Sequence, residues 1–558
     1  ALANAGTVNA PTGANLTVGG NFSNTLTFNH NGGTVVLSGA TGATLTGVPT
    51  VFNLNVTKTG LASVAVIGSD LAVTGALNTT SDDGTGNNVN LTSNALTVTG
   101  LTTVGALASV SSTSGILTFT LDVTNNGMVT STDGAINALA AFTNLGAGSS
   151  LGSNAGAINI TGALANAGTV NAPTGANLTV QTNFDNSSGT FNHNNGTLVL
   201  SGGSGATITA LPTVYTLNVT KTGGASIAVA SSDLAVLNTL TTSGANNLNL
   251  TDRNLTVTGD TIIAATTAVI STSGNLLFAN VGNSGSVSST SGLIRSTGTF
   301  GNTGSLAMTS GAMTLVILTN SGTVSFGAGV ATTTGALTNN SGGTIYLQSS
   351  HVTSTNTWTN NSGATINGGT GTLDFNGAAG TLTNSSGAAF TAGTGRVMMS
   401  GAGSIGLSGA TYYDFTLSKT ASAVVTMASS TIIGGTLTTT GTGTLNTAAT
   451  NLSVTGISTI GSGTTVTSTS GLLAFTGAVG NSGNIGTISG NQSYVAALTN
   501  GGVLHLGSGS ATTTAGLINS GTLYAETGVL SVASTWTNAG TFNRGTGTVN
   551  LVSSSGQT

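Results

Sequence analysis

Across 558 residues the chain carries 3% charged side chains, 86 glycines, no cysteine and a net charge of −5. Ordinary globular enzymes are about a quarter charged, so that class is disfavoured. The seven basic residues form no patch, which removes the electrostatic term that dominates nucleic-acid binding.

The first element is ALANAGTVNAPTGANLTV, Ala1 to Val18, in which aliphatic and polar residues alternate around an Asn-x-Gly turn. Period-two alternation predicts short strands. FNHN with His30 follows, then TVFNLNVTKTG, Thr50 to Gly60, which holds Lys58. Asp70 lies twelve residues beyond Lys58 in SDLAV. That spacing predicts a surface ion pair on neighbouring coils, a contact that adds little stability. Asp82 and Asp83 are the adjacent carboxylates of the chain. Calcium needs several oxygen ligands, and the Gly-rich nonapeptide of calcium-binding β-rolls is missing, so they read as a solvated loop.

At Ala163 the opening eighteen letters return unchanged and run to Val180. His193, Lys221 and Asp233 then repeat the places of His30, Lys58 and Asp70. A looser copy, TYYDFTLSKTA at Thr411 to Ala421, holds Lys419 and Asp414. All three lysines of the protein thus share one position. The long repeats are read as residues 1–162, 163–334 and 335–514, with a partial copy at 515–558, all in a single elongated domain. A shorter period lies beneath. Asn481, Asn500, Asn519 and Asn538 mark equal steps of nineteen residues, and Asn283, Asn302, Asn320, Asn340, Asn361 and Asn384 keep looser time. Asn and Gly tolerate positive φ and turn the chain, and the GTV, GTL or GTI that follows reads as a strand. One coil cannot bury its apolar side, but stacked coils form a continuous core. The fold class is therefore all-β, a parallel β-helix or β-solenoid with coils of about 19–20 residues. No run approaches the 18 apolar residues of a membrane-crossing helix, the densest being MTLVIL at Met313 to Leu318.

The coil NSGTV, the run FNHNNGTLVLSGG, the segment TLNVTKTG and LTVTG at Leu96 to Gly100 and Leu255 to Gly259 resemble the β-strand repeats of large bacterial secreted and surface proteins, the filamentous-haemagglutinin-type adhesins and autotransporter passenger domains. The resemblance implies a right-handed parallel β-helix and an extracellular or cell-surface structural role: a filament subunit assembled head to tail, or a stalk. The alternative is an adhesin whose inter-coil loops bind glycan or protein. Neither reading involves an enzyme, a cofactor, a metal or nucleic acid. His351 and His505 have no partner at metal-ligand spacing, and His30 and His193 read as hydrogen-bonded loop residues. Trp358 and Trp536, both in TWTN, read as fillers of a wide spot in the core, with Phe22 and Phe184 in a matching aromatic slot. Because the start repeats an interior segment and the end breaks off inside another copy, end-to-end self-association is expected through Ala1, Leu2, Val8, Leu16, Val18, Phe542, Val549, Leu551 and Val552.

Overall fold

The computed structural model describes all residues other than 61, 82–87, 379, 403–404, 408–410, 421 and 553–558. Asp82 and Asp83 lie outside the described residues. Every regular element described is a strand, and all pairings are parallel. The result is a β-solenoid of about 27 turns. The chain forms two compact units, Ala1–Phe278 and Ala279–Thr558.

Within each unit the coils follow one rule. Most coils hold three short strands, each paired in parallel with a strand of the next coil; at Leu255–Ile263, Leu293–Asn302 and Ala312–Asn320 two of the three merge into one long strand. Strands such as Leu71–Val73, Leu77–Thr79 and Val123–Asn125 bury their first and third residues and leave the middle one half-buried. Aliphatic residues therefore stack on aliphatic residues, as in Leu54 on Leu77 and Leu96 on Leu117. Each such side chain removed from water contributes roughly 1.5–3 kcal/mol.

Beside the apolar stacks run ladders of buried asparagine. In the first unit Asn125 donates to Asn144, Asn144 to Asn166 and Asn166 to Asn186, at 2.7–2.8 Å. In the second unit one ladder climbs from Asn283 through Asn302, Asn320, Asn339 and Asn360 to Asn384. Another climbs from Asn481 through Asn500 and Asn519 to Asn538. Rung spacing varies from 18 residues, Asn302 to Asn320, to 24, Asn360 to Asn384, so the coil is less uniform than the C-terminal rhythm predicts. Where asparagine is doubled, the motif marks the wrong residue. Asn339 and Asn360 are the buried rungs, while Asn340 and Asn361 bond to one another on the outside.

The Asn-x-Gly signature also acts differently from expectation. The ladder asparagines do not adopt positive φ, nor do glycines such as Gly168, Gly304 and Gly521, whereas Gly342, Gly363 and Gly387, beside the rungs Asn339, Asn360 and Asn384, take the expected positive φ. The Asn166 Oδ1 instead accepts from the Gly168 amide at 3.1 Å, closing an Asx turn. A Cβ at Gly168 would stand 2.2 Å from Ser149 Oγ and 2.4 Å from its carbonyl. Glycine is required there because two backbones touch, not because the chain is left-handed.

The duplicated eighteen residues reveal a property of the stack. The first copy places Leu2–Asn4 in one sheet, and Asn15–Val18 begins a second. In the second copy Leu164–Asn166 lies in the sheet begun by Asn15–Val18, whereas Thr169–Asn171 lies in the sheet begun by Leu2–Asn4. Twenty-three strands separate the two copies, one short of a whole number of three-stranded coils. The pattern therefore returns rotated by one sheet. The second unit repeats the step: twenty-three strands after Leu382–Asn384 comes Trp536–Asn538, and it stacks in the sheet that held Arg396–Met399.

Candidate functional site

The three lysines are the largest departure from expectation. Lys58, Lys221 and Lys419 are wholly buried. Each ends or follows a strand whose alternate residues point inward, and the spacing from Leu54 and Val56 places Lys58 on the inner side. Its Nζ donates to the carbonyls of Ser38 at 2.7 Å and Gly19 at 3.0 Å, one and two coils back. Lys221 Nζ makes the matching bond to Gln181, the counterpart of Gly19, at 2.6 Å. The expected ion pairs do not form. Asp70 instead accepts from the Ala95 amide, Asp233 from the Asn254 amide and side chain, and Asp414 from Thr436. A twelve-residue offset carries the chain about half-way round a coil of 20 to 25 residues to a different face, and the Asp70 and Asp233 carboxylates there accept from a neighbouring amide. Burial lowers the pKa of all three lysines, with the Asp374 charge partly opposing this at Lys419. The Lys58 and Lys221 ammonium groups thus tie their own coil to coils further back.

The aromatic residues divide. Trp358 is fully buried, donates from Nε1 to Thr333 Oγ1 at 3.0 Å and packs against Phe326 and Phe375. Trp536 is half-buried, edge-on to Phe542. Phe22 and Phe184 are buried as a matched pair, each edge-to-face with the next phenylalanine, Phe28 and Phe191, at 84°. His30 and His193 accept from local amides and stack on Phe52 and Tyr215. Among the described residues no group of three or more His, Asp or Glu side chains is placed to hold a metal ion. No described helix is long and apolar enough to cross a membrane.

Of the residues expected at an assembly interface, Leu2, Val8, Leu16, Phe542 and Val549 are half-buried, Ala1, Leu551 and Val552 are exposed, and Val18 is buried.

One surface feature combines charge, aromaticity and space. In the second unit, strands Thr465–Ser468, Asn484–Thr487, Val503–His505 and Thr522–Tyr524 stack in one sheet. Their outward residues align as Thr467, Gly486, His505 and Tyr524, with Asn543 beyond. The His505 ring lies 4.6 Å from the Tyr524 ring and 4° from parallel. Its Nδ1 is 2.7 Å from an oxygen of Glu526, the chain's single glutamate. Below, the buried Gln492 donates to the His505 carbonyl at 2.6 Å and to Thr487, and Tyr494 donates to Gln492 at 2.7 Å. Burial raises the Tyr494 pKa, so its hydroxyl stays a donor. The result is an open groove of about 560 Å³. The sequence carried a signal for it, the lone Glu526 two residues from Tyr524, but only stacking brings His505 beside them.

No protein-family model matches the chain, and no curated protein or solved structure gives a match.

Proposed function

We propose that the chain is a non-catalytic structural β-solenoid of an extracellular filament or surface stalk, of the filamentous-haemagglutinin or autotransporter-passenger type. The observation that carries this reading is the continuous tie between coils. Within each unit the described coils join their neighbours through parallel strands, and in long stretches through buried asparagine rungs, so tension is shared among many parallel hydrogen bonds. Serine, threonine and asparagine recur at exposed positions, among single exposed aliphatic residues such as Leu26, Leu101 and Ile457. We further propose that Leu2, Val8, Leu16, Phe542, Val549, Leu551 and Val552 meet a further coil, which completes the pairing of their strands. That coil belongs either to a second copy or to more of the same polypeptide, and the chain length of native material under denaturing conditions separates the two. Immunogold electron microscopy with antibodies to the chain tests the location: label on filaments outside the cell supports the proposal, and label confined to the cell interior contradicts it.

A second reading, adhesion, is favoured by the groove of His505, Tyr524 and Glu526, because aromatic and carboxylate groups converge there.

A further inference from the structure

The groove contains a missing rung. Along its outward ladder Thr467, His505 and Tyr524 each project a side chain, but Gly486, between Thr467 and His505, projects none. A Cβ at Gly486 would come within 3.1 Å of the His505 Cβ. One face of the His505 ring is covered by Tyr524, and the other looks across the gap toward Thr467. Adjacent parallel strands are about 4.8 Å apart, so the gap from Thr467 to His505 spans roughly 9–10 Å. This admits one ring stacked on the imidazole at an ordinary distance, and nothing thicker.

The walls state which kind of ring. The imidazole offers a flat face to C–H groups, and exposed Ile488 adds an apolar surface at the edge. Around the rim stand the hydroxyls of Thr465 and Thr467, the amide of Asn484 and the carboxylate of Glu526. A purely aromatic guest would strip water from these groups without replacing its hydrogen bonds, at a cost in free energy. A ring with one apolar face and a girdle of hydroxyls satisfies both sets. An anionic sugar would meet the Glu526 carboxylate, with no arginine or lysine among the groove's lining residues.

We propose that the slot at Gly486 binds a single pyranose unit of a neutral glycan, stacked on His505 and hydrogen-bonded at its edge by Asn484, Thr465 and Glu526. The Glu526 contact to Nδ1 fixes the imidazole plane, and the Gln492 bond to the His505 carbonyl holds the strand beneath it. This assignment rests on the adhesion reading and sharpens it to one site and one ligand class.

The test uses the full 558-residue chain on an array of neutral and acidic oligosaccharides, with titration of the strongest hit. Two variants are compared with the parent: Gly486→Thr, which fills the slot with a residue the same ladder already carries at Thr467, and His505→Ala, which removes the stacking wall. The proposal expects binding to a neutral glycan that weakens about tenfold or more in both variants, with melting temperatures near the parent's. If Gly486→Thr fails to fold, His505→Ala decides. Equal binding by parent and folded variants overturns the slot while leaving adhesion elsewhere on the chain intact. Binding to acidic glycans alone also overturns the slot. Absence of binding to every glycan overturns the slot and removes its support from the adhesion reading.

Discussion

The same eighteen residues occur twice in the first unit and meet different surroundings. Leu164, Val170 and Leu178 are fully buried, whereas their identical counterparts Leu2, Val8 and Leu16 are only half-buried. Gly168 is pressed against Ser149, while a Cβ at Gly6 would meet nothing within 4 Å. Strand formation follows from the letters, since both copies form the same three strands. Burial, close contact and sheet membership follow from the neighbouring coils. A coil of a solenoid is thus specified by its sequence and stabilised by its position.

Matched substitutions in the two copies sharpen that contrast. The largest effect is expected for Val170→Asp, which leaves an unpaired charge in the interior and lowers stability by about 3–5 kcal/mol. Val8→Asp, where water already reaches the side chain, lowers it far less. Equal losses in chemical denaturation break the comparison. Asn166→Ala comes next. It leaves the Asn144 donor, the Asn186 acceptor and the Gly168 amide without their partner, a loss of about 2–3 kcal/mol. Asn4 holds fewer rungs, with Asn24, Thr27 and Gly6 as partners, so Asn4→Ala costs less in the same assay. Gly168→Ala forces two backbones apart and costs about 1–3 kcal/mol. Gly6→Ala, in open space and without positive φ, is neutral or slightly stabilising. Thermal melting of the two alanine variants reads this directly.

The smallest effect expected is a pH dependence. Lys58 and Lys221 titrate below 10.5 in the folded chain because burial disfavours their charge. Between the lowered folded value and 10.5 the unfolded chain binds more protons, so stability rises with pH in that window. Tyr412 and Tyr494 have raised values. They deprotonate first in the unfolded chain, so they reduce stability above 10.0. The melting temperature should therefore climb as pH approaches 10.0 from below, and Lys58→Met with Lys221→Met should flatten the climb. An unchanged slope in that double variant would show that the lysines are not its source.

Much of this architecture was legible in the letters. Period-two runs at Asn-x-Gly intervals announced parallel coils, and the matched phenylalanines at Phe22 and Phe184 announced a repeated core slot. What was hidden depends on distances between coils. Lys58 lies on the inner side because alternation from Leu54 and Val56 sends it there, a cue that its charge obscured. The glycine after rung asparagines such as Asn166 and Asn302 suggested left-handed backbone, whereas its reason is a carbonyl in the preceding coil; Gly342, Gly363 and Gly387 are left-handed as expected. The groove was hidden because Gly486, His505 and Tyr524 become neighbours only once three coils are stacked in register. The rotation of the repeat was hidden for a simpler reason: identical letters give no indication of which sheet they join.

That rotation is the central claim, and the absence of cysteine makes it directly measurable. The rotation requires Thr169 to face Ser150, because that pairing is the link which places the second copy's Thr169–Asn171 in the sheet begun by Leu2–Asn4. Adjacent strand positions lie within the Cα separation that a disulfide spans. The double variant Ser150→Cys with Thr169→Cys, mildly oxidised and then digested, should yield a peptide pair linked through these two positions. Two free thiols under the same conditions, in a chain that melts like the parent, would contradict the rotated stacking.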